Sequence, residues 1–241
     1  FSPYAVLQLN RPDVLYDVPK MIFSTNGPLA LRWNYMHKMI PWILGYLKNC
    51  NKKSMLHTAK YMHQILDHSL SAYDEIFEEI DTTNLLEKKG ILYVWTNQNL
   101  KSRKLEIKVR NDLGVKQKIL TVKEILELEP NLKPVFSGGV YFDYAYHARD
   151  PVGILKKLFD LYIKKGGIFK KENVNSVNQS TLNKTIIKTD NAEYNFEKSV
   201  IACGAFSKKF TEQLGEKIPL DTERGYHVHF EGMDKLISRP I

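Results

Sequence analysis

The segment VIACGAFS, Val200 to Ser207, has the residue types of a ligand-binding turn. The apolar run from Ser199 to Ala202 predicts a short buried strand, and the small residues Cys203 to Ala205 lead into a helix that begins near Ser207. Small side chains let a ligand approach the backbone, and a helix N-terminus favours an anionic group such as a phosphate. The same pattern is found in tight strand–helix turns that bind nothing, so both interpretations stay open.

A second candidate lies at His147 and Arg149, directly before a predicted helix. Asp150 suits the N-cap position and Pro151 the first helical position, and Gly166 ends the apolar periodicity that follows. Functional side chains are concentrated in loops of this kind. On the pattern alone, solvated loop residues are the more common case.

The stretch from Pro219 to Phe230 ends in alternating residues that predict a strand. Tyr226 and Val228 share one face of that strand, while His227 and His229 share the other. Two histidines at this spacing could bind a metal ion, but no third ligand is evident. We therefore predict no metal site.

Composition excludes several classes of protein. The 241 residues are 43% hydrophobic, enough for a sizeable core, and the net charge of +8 comes from 35 basic and 27 acidic residues. The lysines are scattered, so we predict no nucleic-acid partner. Cys50 and Cys203 are far apart, which suits a reducing compartment and predicts a cytoplasmic protein. No apolar run approaches the ~20 residues of a membrane-spanning helix.

Periodicity predicts a mixed α/β fold in three regions. Residues 1–145 are mainly helical with a few strands, residues 146–216 are α/β, and residues 217–241 return to a β-sheet. The predicted elements are helices at Trp33–Leu47, Ser54–Ile80 (capped by Ser54), Asn97–Leu113, Thr121–Leu128 (a capping box) and Asp150–Lys165, and strands at Ile91–Thr96, Val140–Tyr144, Ile168–Lys170, Asn173–Val177, Thr185–Thr189, Tyr194–Phe196 and Ser199–Ala202.

The order of these segments resembles the D-amino-acid oxidase superfamily and, within it, the bacterial D-amino-acid dehydrogenases. The resemblance covers almost the whole chain, and the ordered series is more specific than any single motif. The segments that carry it are Phe1-Ser2-Pro3, MIFSTNGPLALRW (Met21–Trp33), GILYVWT, SGGVYFDYAYHARDP, KKGGIFKKENVNSV, VIACGAFS and PLDTERGYHVHF.

The resemblance implies a partial FAD-binding, Rossmann-like domain with a mainly helical and antiparallel-sheet substrate-binding cap. Residues 1–145 would belong to the cap, 146–216 to the inner part of the FAD domain, and 217–241 to the sheet of the substrate domain. The implied FAD contacts are Val174, Ala202, Cys203, Gly204 and Ala205. A cysteine at 203 departs from the small alanine or threonine that is usual in the family.

The implied reaction transfers a hydride equivalent from the α-carbon of a D-amino acid to flavin, giving an imine that water hydrolyses. The cofactor carries this chemistry, so no catalytic acid–base residue is assigned. Tyr226 would line the substrate side, and His147 and Arg149 would lie near the flavin or the substrate entrance. The electron acceptor stays open; a membrane quinone chain and peripheral attachment to the inner membrane face are both considered.

Several expected parts of such an enzyme are not in this sequence. The G-x-G-x-x-G turn is expected upstream of Phe1, and the arginine that holds the substrate carboxylate downstream of Ile241, so we expect an internal fragment that is inactive alone. Another superfamily member, such as a glycine or sarcosine-type oxidase or a 2-hydroxyacid dehydrogenase, is the nearest alternative. A non-catalytic binding or membrane-surface module is an alternative of a different class.

Overall fold

The chain folds into two compact units, comprising residues 1–162 with 233–241, and residues 163–232. Both combine helices with antiparallel sheets, which confirms the mixed fold class. The computed structural model describes residues 1–8, 10–12, 15, 33–96, 100–180, 184–222, 225–228, 230, 232 and 236–241.

Helices dominate the first half of the chain and strands are spread along it. The α-helices of the described residues are α1 (Met36–Asn49), α2 (Lys52–Leu66), α3 (Ser69–Phe77), α4 (Leu100–Asp112), α5 (Val122–Leu128), α6 (Pro151–Lys164) and α7 (Ser207–Gln213). The strands are β1 (Leu86–Glu87), β2 (Ile91–Trp95), β3 (Lys118–Leu120), β4 (Gly138–Phe142), β5 (His147–Ala148), β6 (Val174–Gln179), β7 (Thr185–Thr189) and β8 (Glu193–Phe196). None of these helices is both long and apolar enough to cross a membrane.

The sheet β2-β4-β3 is the centre of the first unit, with β4 in the middle. Because successive side chains of a strand point to opposite faces, β2 and β4 supply two separate cores. On one face Val140 and Phe142 pack with Tyr4, and on the other Leu92 packs with Ile125 of α5. Because both faces of β4 are buried, its sequence is apolar and includes two glycines.

Capping side chains fix where two of the helices begin. The capping box of α5 is confirmed, because Thr121 and Glu124 bond reciprocally to each other's backbone N–H. The start of α2 corrects a prediction: Asn51, not Ser54, is the N-cap, and its Oδ1 accepts from Ser54 N at 2.9 Å.

The predicted helix Ser54–Ile80 is wrong in its continuity. The chain leaves the α2 helix after Leu66 and restarts α3 at Ser69, whose hydroxyl donates to the Leu66 carbonyl at 2.7 Å. A serine that bonds to the backbone competes with the helical pattern, so apolar spacing alone does not reveal this break.

The second unit contains the antiparallel meander β6-β7-β8 with α7 packed on β6. Phe210 of α7 is buried, and the Gln213 side chain accepts a hydrogen bond from Val177 N at 2.9 Å. Strand β7 matches its predicted bounds, and α7 begins at the predicted Ser207.

Three predicted strands are wrong in the residues that the structure describes. None of the described residues of Ile168–Lys170, Ser199–Ala202 and Pro219–Phe230 is in a strand, and Val200 is 90% and Tyr226 85% exposed. A strand forms only where a neighbouring strand satisfies its backbone groups, which a local pattern cannot supply. Glu223, His229, residues 21–32 and Asn97 lie outside the described residues.

Close backbone approach at Gly139 generates a stability prediction. A Cβ there would lie 2.6 Å from Tyr93 O and 2.9 Å from Ile125 Cδ1. We expect Gly139→Ala to lower the free energy of unfolding by about 1–3 kcal/mol because the sheet and α5 must separate. Urea unfolding measures the change.

The matched control is Gly45→Ala in the exposed helix α1, where an added Cβ meets nothing within 4 Å. Alanine is the better helix former, so this variant should gain about 0.5–1 kcal/mol. Equal effects of the two substitutions would contradict the close approach at Gly139.

Candidate active site

A cavity of about 510 Å³ in the first unit gathers ionisable side chains from distant parts of the sequence. It is the best candidate for a functional site because charged groups converge there on a space large enough for a small molecule. Its lining residues are Glu87, Lys89, His147, Arg149, Ile237, Ser238, Arg239 and Pro240.

The short ladder between β1 and β5 forms one wall of this cavity. Glu87 pairs with His147 across the two strands, and Arg149 N donates to Leu85 O at 2.9 Å just beyond them. Gly90 then turns the chain into β2 with a φ of +71°, and a Cβ there would lie 2.5 Å from Phe142 O. Only glycine accommodates both constraints, so the turn fixes how this wall meets the central sheet.

Glu87 is shared between two cationic side chains at the cavity. Its Oε1 lies 3.3 Å from Arg149 Nη1 and 3.5 Å from Lys89 Nζ. Both cations are about half exposed, so these ion pairs are weak and can exchange partners. An entering carboxylate could therefore bind either cation without breaking a buried pair.

Arg239, in contrast, is a lining residue that is held in place. Its Nε lies 2.7 Å from Glu129 Oε1, and the two side chains are only 12% and 3% exposed. Its Nη1 donates to Lys89 O and to the Tyr141 hydroxyl, each at 2.9 Å. The guanidinium has few free donors and serves mainly to fix the wall.

Glu129 has an environment that favours its charged form. Burial alone would raise the pKa of Glu129, but hydrogen bonds from the Ser238 backbone and hydroxyl and from Arg239 outweigh it, so the pKa falls below its ordinary 4.5. A lowered pKa means that the carboxylate stabilises the fold above about pH 4.5 and that this contribution is lost as the pH falls through the lowered value.

The cavity has a positive charge balance that suits an anion. Lys89, Arg149 and Arg239 line it with Glu87, and Glu129 lies behind Arg239, which leaves one net positive charge before His147 is counted. A carboxylate of a small substrate is the kind of group that such a surface attracts. In the part of the chain that the structure describes, no group of three His, Cys, Asp or Glu side chains could hold a metal ion.

The sequence-predicted site residues fall in both units. His147 and Arg149 lie together at the cavity in the first unit. Tyr226 belongs to the second unit, as do the predicted cofactor contacts. These are Val174, half-buried at the start of β6, and Ala202, Cys203, Gly204 and Ala205, mostly exposed before α7.

Sequence reasoning missed most of the cavity. Glu87, Lys89 and Arg239 were not singled out, because isolated charged residues next to a turn or a proline look like solvated surface. A carboxylate-binding arginine was expected beyond Ile241, and no local signal marks Arg239 as a cavity residue. Its long-range contacts with Glu129, Lys89 and Tyr141 show where it lies.

Comparison with known proteins defines the class. Residues 34–240 match the DAO family, described as FAD dependent oxidoreductase. A D-amino-acid oxidase of Bradyrhizobium diazoefficiens is 28% identical over 231 residues, covering 95% of this chain and 55% of that protein. A D-amino acid dehydrogenase of Vibrio atlanticus is 23% identical, covering 93% and 54%.

Solved structures share the fold at low sequence identity. L-proline dehydrogenase from P. horikoshii superposes with a TM-score of 0.54 at 18% identity, covering 64% of this chain and 41% of that one. Glycine oxidase from Geobacillus kaustophilus gives 0.51 at 20% identity, covering 62% and 40%.

The chain belongs to the DAO family of FAD-dependent oxidoreductases. It spans about half the length of the curated relatives it matches. In the turn before α7, Gly204 has a φ of +56°, and a Cβ there would meet nothing within 4 Å, so the backbone is open to approach. Helix α7 has only seven residues and gives no argument for a phosphate at its N-terminus.

Removing the charge of Glu129 tests the wall of the cavity. We expect Glu129→Gln to lower the free energy of unfolding by about 3 kcal/mol at neutral pH, because it leaves Arg239 buried without its counter-ion. The loss should shrink as the pH falls below about 4.5, where the unfolded chain takes up the proton first, and should vanish as the pH passes the lowered pKa of the native carboxylate. Urea unfolding at a series of pH values measures both effects.

The matched control is Glu127→Gln on the same helix. The Glu127 side chain is 63% exposed and 4.0 Å from Lys123, so its loss should change stability by less than about 0.5 kcal/mol. A flat pH dependence of the difference between Glu129→Gln and the native protein would contradict the assigned pKa direction.

Proposed function

We propose that the whole protein oxidises D-amino acids with FAD, removing a hydride equivalent from the substrate α-carbon and releasing an imine that water hydrolyses. FAD, when bound, supplies the electron acceptor for this step. The proposal is supported by the family and by the curated relatives, which carry the names D-amino-acid oxidase and D-amino acid dehydrogenase. The observation that carries it in this chain is the cationic cavity at β1 and β5.

In this proposal Arg149 and Lys89 bind the substrate carboxylate. Their present partner, Glu87, is shared, so one cation can turn to a ligand while the other keeps the ion pair. A carboxylate held by two cationic side chains at once limits how the α-carbon can rotate. Orientation of the reacting C–H bond is the main task left to the protein when a cofactor carries the chemistry.

The remaining assignments follow the family resemblance. We assign the FAD contacts to Val174 and to the turn from Ala202 to Ala205. The family resemblance also implies a substrate-side role for Tyr226 and, separately, for His147. The open backbone at Gly204 supports the first of these. Residues 1–145 and 217–241 are proposed to form the substrate region, with 146–216 in the FAD domain.

Substitution of Arg149 tests the carboxylate site in the full-length enzyme. We expect Arg149→Met to raise KM for a D-amino acid about tenfold with a much smaller change in kcat, because the carboxylate is unchanged by the reaction and its binding is uniform. Steady-state rates over a substrate series give the two constants.

Lys118→Met is the control for this substitution. It removes a similar cation from an exposed pair with Asp143, on a strand that does not line the cavity. Its KM should stay at the native value. If the Arg149→Met enzyme kept the native KM, the substrate carboxylate would not bind in this cavity.

The electron acceptor separates a dehydrogenase from an oxidase. We propose a membrane quinone as the acceptor of a cytoplasmic enzyme at the inner membrane face. A soluble quinone analogue should then sustain turnover in air with only slow formation of peroxide. Rapid peroxide formation, measured with a peroxidase-coupled dye, would instead favour the oxidase activity named for the Bradyrhizobium relative.

A further inference from the structure

A second cavity in the first unit has a volume of about 340 Å³ and plays no part in the proposed oxidation. Helix α4, strand β2 and the N-terminal segment supply its lining, and none of the described lining residues also lines the cavity at Arg149. We refer to this space as the α4 cavity. The side chains that could bind a ligand there are three arginines, one glutamate and two aromatic residues: Arg11, Arg103, Arg110, Glu106, Tyr93 and Trp95.

The periods of the helix and the strand bring these side chains together. In α4, Arg103, Glu106 and Arg110 follow one another at i, i+3 and i+7, which is the spacing of one helix face. In β2, Tyr93 and Trp95 are two residues apart and therefore point to the same side of the sheet. The α4 cavity thus has guanidinium groups from the helix and aromatic rings from the strand.

Glu106 is the acidic residue of this cavity, and its side chain is only 8% exposed. Its Oε1 accepts a hydrogen bond from Arg103 Nη1 at 3.0 Å and is also paired with Arg11. Its Oε2 lies 3.6 Å from Arg110 Nη1, which is longer than a hydrogen bond. One carboxylate therefore serves three guanidinium groups, and among the described lining residues positive charge exceeds negative charge by two.

Arg110 is the buried cation that this carboxylate does not satisfy. Its side chain is 10% exposed, and its Nε is buried without a hydrogen-bond partner in the part of the chain that the structure describes. Its Cζ lies 5.3 Å from the centroid of the Phe142 ring, which offers no acceptor oxygen. Burial lowers the pKa of Arg110, and the charges of Arg103 and Arg11 act in the same direction. Because arginine stays charged in proteins, an anion would stabilise this group.

These features select a chemical class of ligand. The planar fork of a guanidinium group matches the oxygens of a carboxylate or a phosphate. An excess of two positive charges favours a phosphate ester, which carries a charge of about −1.5 to −2 at neutral pH, over a carboxylate. Tyr93 is 46% exposed and lines the cavity beside Trp95, so an apolar or flat group can pack against the two rings.

We propose that the α4 cavity binds a small organic phosphate, with the phosphate at Arg103 and Arg110 and the organic group against Tyr93 and Trp95. Binding requires neither an amino-acid substrate nor the cations of the other cavity, so the proposal goes beyond the proposed oxidation. Failure of catalysis would leave it unaffected, and failure of phosphate binding would not touch the catalytic proposal.

Titration of the full-length flavoprotein with phenyl phosphate tests the proposal. Calorimetry should show saturable binding. Inorganic phosphate should bind about fivefold more weakly because it lacks the ring, and phenol should not bind because it lacks the charge. The emission of Trp95, taken as the difference between the native protein and Trp95→Phe, should change over the same range of phenyl phosphate concentration. This signal belongs to the α4 cavity, because Trp95 lines it and does not line the cavity at Arg149.

Substitution of Arg110 locates the bound phosphate. We expect Arg110→Met to weaken the binding of phenyl phosphate about tenfold or more, because it removes a charge-assisted hydrogen bond. Arg110→Lys keeps the charge without the planar fork and should give an intermediate affinity. Lys108→Met is the matched control, since Lys108 is on the same helix, is 71% exposed and does not line the cavity. Lys108→Met and Arg149→Met should both bind as the native protein does.

The proposal fails if the native flavoprotein does not bind phenyl phosphate, a result that is independent of how the variants fold. It also fails if phenol binds as tightly as phenyl phosphate, or if Arg110→Met keeps the native affinity. A loss of binding in Arg149→Met that Arg110→Met does not share would place the ligand in the other cavity. An equal loss in Lys108→Met and Arg110→Met would show only a general attraction to positive charge, which equally contradicts a site at Arg110.

Discussion

The carboxylate of Glu129 joins the end of helix α5 to the last residues of the chain. It accepts hydrogen bonds from the Ser238 backbone and hydroxyl and from Arg239, and Leu92 N bonds to Pro240 O at 3.1 Å beside it. These contacts span more than 100 residues of sequence and bring a terminal segment against the central sheet. One wall of the cationic cavity exists because this carboxylate stays buried and charged.

The wall that β1 and β5 form depends on local geometry. The ladder of β1 and β5 places Glu87 beside Arg149, and Gly90 turns the chain tightly enough for β2 to follow. The two walls differ in strength: Arg239 is fixed by a buried pair, while Arg149 and Lys89 share an exposed one. Such an arrangement holds the shape of the cavity constant and leaves two half-exposed cations at its surface.

Features encoded by neighbouring residues could be predicted from the sequence. The Thr121 capping box and the Pro151 start of α6 depend on contacts within a few residues, and the structure has them. Strand β7 also has its predicted bounds, because its partners β6 and β8 are its neighbours in the sequence. Ser199–Ala202 failed as a strand because pairing needs a distant partner that no local pattern specifies. The cavity could be found only in part for the same reason: His147 and Arg149 adjoin a recognisable helix start, whereas Arg239 acquires its role through Glu129.

The family of this chain and the cationic cavity both support the central claim proposed above, that the whole protein oxidises D-amino acids with FAD. Anaerobic mixing of the full-length flavoprotein with D-alanine, followed by visible absorption, tests that claim most directly. We expect D-alanine to bleach the oxidised flavin band and L-alanine to leave it unchanged over the same time. A flavin band that neither enantiomer bleaches, or that L-alanine bleaches as fast, would contradict the claim.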